Sequence, residues 1–239
     1  MKALLYADWR TVSRDILKYA LCALVISAVF VISEDSSDPT AIAADIEAAI
    51  MSCVTFYYCT FFLFSTFTSD AAAGWEVSRL SLPVSRRDVV RARYAFLALT
   101  AVVAVVAGAI LGAVGTVVCE VSNHIGNTVT LANPAELLIG GMSILGIALI
   151  IISIELPLFF WLGHEKARPL VTLPFLLPLL LLYGPVKDFL NGIVNPTDAM
   201  QAMEGFFAGT GPAVFLVVAV LILVASSMLS TRLYERRDL

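Results

Sequence analysis

The chain has 239 residues, 59% of them hydrophobic and only 14% charged, and its mean hydropathy is +0.90. That composition excludes an ordinary soluble domain and points to an all-α protein that crosses the membrane several times. The formal net charge of −4 is the sum of two unlike faces, so it carries no argument for a nucleic-acid partner.

The chain opens on a short amphipathic stretch, residues 1–16. Leu5, Trp9, Val12 and Ile16 share one helical face, with Asp8, Arg10, Arg14 and Asp15 around the others, which predicts a helix lying in the membrane interface. It does not read as a cleaved leader. No short apolar core follows Lys2 directly, charges recur up to Lys18, and no convincing small-residue cleavage site follows the first span.

A helix needs roughly 20 apolar residues to cross the hydrocarbon core. Six stretches qualify: Leu17–Ser33, Ile46–Thr68, Val89–Cys119, Leu137–Leu162, Leu170–Tyr183 with some extension, and Pro212–Ser230. All but Lys187 of the 15 Lys and Arg residues then fall on one side. Glu34, Asp35, Asp38, Asp45, Glu47, Glu120, Glu136, Asp188, Asp198 and Glu204 fall on the other. Positive charge is retained on the cytoplasmic side, so both termini are expected inside the cell.

Between spans two and three, residues 69–88 form a basic cytoplasmic loop. Pro83 stops a short helix near Leu80 to Leu82, and Ser85 with Asp88 supplies a capping box for span three, whose first turns project Arg86, Arg87, Arg91 and Arg93. The arginines by themselves could serve only to fix topology and touch lipid phosphates. Trp75, Leu80, Leu82 and Pro83 among them look instead like a docking surface.

Gly108 and Gly112, with Ala104, make a small-residue stripe on span three, the kind that lets another helix approach closely, here assigned to a seam between two copies. Span four is capped by Asn133-Pro134 with Glu136, carries Pro157, and holds Glu155, an acid deep in an apolar helix. Such a carboxyl must be neutral, paired or facing a cavity, so Glu155 is either a structural partner of Lys166, Arg168 or a neighbouring helix, or part of a substrate pathway. Span five contains Pro169, Pro174 and Pro178, with Pro185 beyond it, and should be kinked. In residues 184–211 the Asn195-Pro196 cap and the apolar Phe189, Ile193, Met200, Met203, Phe206 and Phe207 predict a partly helical outer segment that dips back into the membrane boundary.

Cys22, Cys53, Cys59 and Cys119 show no ligand spacing, and His124 and His164 fall on opposite sides. Neither a metal site nor a catalytic nucleophile is expected, and no G-x-x-x-x-G-K-[ST] loop is present to cradle a phosphate.

Three segments together carry a resemblance. The run from Asp70 through Gly74, Trp75, Leu80 and Leu82-Pro83-Val84-Ser85-Arg86 to Asp88-Val89-Val90 resembles the first cytoplasmic loop of small bacterial ABC-2 type exporter permeases. Pro157 followed by Gly163-His164-Glu165-Lys166-Ala167-Arg168 resembles their signature between spans four and five, and Leu233 to Leu239 resembles their short charged tail. One departure is that Asp70 is followed by Ala71 where the family commonly has an acidic pair.

The resemblance implies a plasma-membrane permease, one domain over residues 1–239, that pairs with a second permease copy, identical or related. Such permeases bind no cofactor of their own and are driven by ATP and Mg on a separate ATP-binding subunit. The loop 69–88 would be the coupling helix, with Trp75, Arg79, Leu80, Leu82, Pro83, Arg86 and Arg87 meeting that subunit and Glu165, Lys166 and Arg168 forming a second contact. Cargoes in the group that this chain resembles include amphipathic and antimicrobial peptides and hydrophobic drugs. The competing reading is a polytopic membrane enzyme or a scaffold for a cytoplasmic partner. An enzyme would place two or three ionisable groups at one depth, and only Glu155 is visible.

Overall fold

A computed structural model of the chain describes residues 39–72, 85–123, 133–163 and 211–235, with Val25 as an isolated helical residue. Four helices account for almost all of them: α1 (Pro39–Ala72), α2 (Arg86–Asn123), α3 (Pro134–Leu162) and α4 (Gly211–Glu235). They contain the second, third, fourth and sixth predicted spans. The first and fifth spans, the interfacial segment and nearly all of the outer segment lie outside the described residues.

Two helix starts follow the local chemistry that the sequence indicates. Ser85 Oγ accepts a bond from the Asp88 amide (3.1 Å) and donates to Asp88 Oδ2 (2.7 Å), satisfying a donor that the first turn of α2 would otherwise leave open. At α3, Asn133 Oδ1 accepts from the Ala135 amide at 3.1 Å, with Pro134 and Glu136 both in the first turn. The same helix continues through Pro157 and ends at Gly163, whose φ of 76° is a left-handed conformation that glycine adopts without a Cβ clash.

Contacts between side chains fix the directions. The start of α1 meets the far half of α2 through Glu47 against Gly112 and Met51 against Gly108. The end of α1 meets the start of α2 through Phe67 and Arg93, so these two helices are antiparallel. Gly146 with Phe215, Ser153 with Ser226 and Phe160 with Tyr234 advance together along α3 and α4, which are parallel. The two extensive pairings are α1 with α2 and α3 with α4; α3 also packs on α1 and α2, and α4 more sparingly on α2.

Among the described residues, α2 over Arg86–Val118, α3 and α4 are long and apolar enough to cross a membrane. The distribution of side-chain size on α2 shows how. Leu97, Ala101, Ala104, Gly108, Gly112 and Thr116 face inward, while Leu99, Val103, Val106, Ile110 and Val114 are each more than half exposed. Small residues inside and large aliphatic ones outside is the arrangement of a helix whose outer face meets lipid, where exposed apolar surface costs nothing and close backbone approach supplies the packing. Trp161 of α3 and Leu221 and Met228 of α4 are likewise exposed.

Candidate functional site: an aromatic and arginine belt beneath a buried polar layer

The ends of α1, α3 and α4 gather around the start of α2, and two layers of contacts hold them. The outermost is a belt of rings and guanidinium groups. Phe67 of α1 stacks on Phe159 of α3 at 4.3 Å and 9° and meets Phe160 edge-on at 5.8 Å. Phe160 in turn meets Tyr234 of α4 edge-on at 5.3 Å. The Arg93 guanidinium of α2 lies 5.0 Å from the Phe67 ring centre, and that of Arg86 lies 5.8 Å from Tyr234, both within cation–π range.

Arg93 corrects an expectation. It does not project from the first turns of α2; it is 1% exposed. Seven residues after Arg86, it sits about 10 Å further along the helix at 1.5 Å per residue, where the face it occupies is covered by α1. Arg91 is exposed, as anticipated. An acid is also relocated: Glu47, grouped above with the outer loops, is 2% exposed in α1 and packs against α2 at Gly112.

Arg86 and Arg87 are already engaged within the chain. Arg86 Nη1 donates to the backbone carbonyls of Tyr234 at 3.1 Å and Glu235 at 3.2 Å, two of the carbonyls that the end of α4 leaves without helical partners. Arg87 Nε donates to Glu235 Oε1 at 2.7 Å. The start of α2 thus caps the end of α4.

Above the belt lies a buried polar layer. Tyr94 Oη lies 2.7 Å from both Ser226 Oγ and Ser230 Oγ, and Ser226 Oγ donates to the Ser153 carbonyl at 2.6 Å. The single Ser226 hydroxyl proton is therefore spent on α3, so Tyr94 must donate to Ser226 and accept from Ser230. The result is a directed chain from α4 through α2 back to α4 and on to α3. The sequence reading does not mark it, although Ser226 and Ser230 stand four residues apart on one face of the helix, the face that is buried. That spacing was the available signal.

Glu155 stands two residues beyond Ser153 in the same layer. It is 2% exposed, and its Oε1 has no hydrogen-bond partner among the described residues. The Cys59 thiol of α1 lies within its electrostatic reach. The two postulated cationic partners, Lys166 and Arg168, lie outside the described residues, as do Trp75, Arg79, Leu80, Leu82, Pro83 and Glu165. Among the described residues no three His, Cys, Asp or Glu side chains come together as a metal site would require.

The Gly108 and Gly112 stripe is taken by α1 of the same chain. A Cβ at Gly108 would stand 2.9 Å from Met51 Cα, and one at Gly112 would stand 3.0 Å from Glu47 Cα. The stripe is an internal seam, not a free face awaiting a second copy.

This is a helical, lipid-facing bundle whose basic loop is bracketed by α1 and α2, with no phosphate-cradling sequence anywhere in the chain. Comparison with curated proteins and with solved structures returned no match. The profile of the ABC-2 family transporter protein, however, matches residues 3–235. Because that match spans nearly the whole of a chain that crosses the membrane more than once, the protein belongs to the ABC-2 family of transporter proteins and is a membrane-embedded transport subunit.

Proposed function

We propose that the chain is the permease half of an ATP-driven exporter of the bacterial plasma membrane, working with a second permease copy, identical or related, and moving amphipathic peptides or hydrophobic drug-like molecules outward. The observation that carries this is the family match over residues 3–235; with no phosphate-binding loop in the sequence, this reading assigns the energy source to a separate ATP-binding subunit. The competing enzyme or scaffold loses ground to the same match.

In this reading the loop between α1 and α2 is the coupling segment. Trp75, Arg79, Leu80, Leu82 and Pro83 meet the ATP-binding subunit, Arg86 and Arg87 stand where that surface joins the bundle, and Glu165, Lys166 and Arg168 make a second contact. ATP and Mg stay on the partner, and the outward faces of α2, α3 and α4 meet lipid. Glu155, buried with an unmatched oxygen, belongs to the transport pathway. In this reading the chain has six spans with both termini inside; the parallel run of α3 and α4 is consistent with a fifth span between them, since the chain leaves α3 at one end of the bundle and enters α4 at the other.

The test is affinity capture of the tagged chain from its native membrane. A copurifying ATP-binding subunit is expected, lost or functionally uncoupled when Leu80, Leu82 and Pro83 are replaced together while membrane insertion is retained. Capture without any such subunit rejects the reading, and full ATP-dependent transport by the triple variant rejects the docking surface.

A further inference from the structure

We infer that Arg86, Arg87 and Glu235 form a mechanical relay, in which a displacement of the loop before α2 is delivered to the end of α4. The inference rests on the reading of that loop as a coupling segment. It goes further by naming where the motion goes next.

The observations are geometric. Ser85, the residue before α2, is locked to the first turn of that helix through Asp88, so a displacement that reaches Ser85 is passed to that turn. Arg86 then holds two terminal carbonyls of α4, and Arg87 holds its last described carboxylate. Two turns further along α2, Tyr94 grips the same helix at Ser226 and Ser230. Every one of these contacts is polar, while the apolar packing between α2 and α4 is sparse compared with that of α4 on α3. An exposed ion pair such as Arg87 with Glu235 adds little stability, so its worth lies in direction. It ties α4, and through the Ser226 bond α3, to the helix that the loop pushes.

A push at the loop would thus move α2 and α4 together and leave lipid-facing side chains free to slide. Without the tie, α2 would tilt on α1 alone, where Gly108 and Gly112 make a tight seam, and the motion would not reach the outer ends of α3 and α4.

The experiment uses the captured complex in lipid nanodiscs, with Cys22, Cys53, Cys59 and Cys119 replaced by alanine and nitroxides attached to Ala48→Cys and Val214→Cys. These two sites are exposed and lie in the starting halves of α1 and α4, so they read the motion of α4 relative to the helix that the relay leaves behind. Electron–electron double resonance compares the nucleotide-free complex with one trapped by MgATP and vanadate. In the reference protein the distance distribution shifts on trapping. With Glu235→Arg the partner subunit still copurifies and hydrolyses ATP, but the shift is lost. The swap Arg87→Glu with Glu235→Arg restores it, which a merely structural loss would not do.

A full shift in Glu235→Arg overturns the relay while leaving the exporter reading intact. So does a swap that binds and hydrolyses normally yet fails to recover the shift. A swap that loses the partner subunit assigns Arg87 to the docking surface and equally overturns the relay. A reference protein that captures no ATP-binding subunit overturns both ideas at once.

Discussion

Gly112 of α2 lies flat against the backbone of Glu47 in α1: a Cβ there would stand 3.0 Å from Glu47 Cα and 3.2 Å from its carbonyl oxygen. One helical turn earlier, Gly108 is as close to Met51, at 2.9 Å and 3.1 Å. The atoms in the way are backbone, so neither can swing aside. Glu47 itself is buried, with Thr116 Oγ1 3.4 Å from its Oε1.

Gly108→Ala and Gly112→Ala are therefore expected to push α1 off α2 and cost about 1–3 kcal/mol each, the usual range for overpacking a filled interior. Val114→Ala on the lipid face should be close to neutral. Unfolding midpoints in mixed micelles decide the matter, and glycine variants as stable as the parent would show that α1 and α2 are not packed as described.

Removing the Tyr94 hydroxyl strands two serines. Tyr94→Phe is expected to cost about 0.6 kcal/mol and no more than about 1.7 kcal/mol, the average and the upper end for hydrogen bonds between membrane helices. Because the donor chain passes from Ser230 through Tyr94 to Ser226, the pair Tyr94→Phe and Ser226→Ala should be less damaging than the sum of the two. Additive losses in the same unfolding measurement would mean that the hydroxyls act independently.

Glu155 separates a structural role from a transport role. If its carboxyl has no partner, Glu155→Leu removes an unmatched polar group and stability holds or rises, by about 1–3 kcal/mol at most. Export, read as survival of cells challenged with amphipathic antimicrobial peptides, should fall in Glu155→Leu and in Glu155→Gln. A loss of stability with unchanged export would place the carboxyl in a structural pair.

The direction of the bundle is open to chemical labelling. A membrane-impermeant maleimide should reach Ser37→Cys and Glu136→Cys on intact cells, since the first stands just before α1 and the second in the first turn of α3, helices that start at the same end. It should reach Ser85→Cys only after permeabilisation. The reverse pattern would turn the whole assignment over.

Much of this was legible beforehand because it is local. Apolar length located four helices that the structure contains. Ser85 with Asp88 and Asn133 with Pro134 announced two helix starts, because caps depend on residues within one turn. The misplacements have the opposite character. Whether Arg93 faces water depends on Phe67, twenty-six positions earlier in sequence and on another helix. Whether Gly112 is available to a second chain depends on Glu47. Hydropathy counts where a charge falls along the chain and is blind to which side of the helix it takes. The Tyr94 layer escaped for the same reason, since no periodicity within α2 predicts two serines arriving from α4.

The shared direction of α1, α3 and α4 has an electrical side. Each helix ends with a partial negative charge of about half an elementary unit on its unsatisfied carbonyls, and among the described helices three such ends are collected at one face, with the positive end of α2 opposing them. The basic residues at the start of α2 stand in that field: Arg86 directly on α4 carbonyls, Arg87 beside them, and Arg93 buried above Phe67 near the end of α1. The arginines at this face are thus its counter-charge, and any motion of α2 away from its neighbours must pull cations out of a negative well. That gives the bundle an electrostatic restoring force toward the closed arrangement of these four ends.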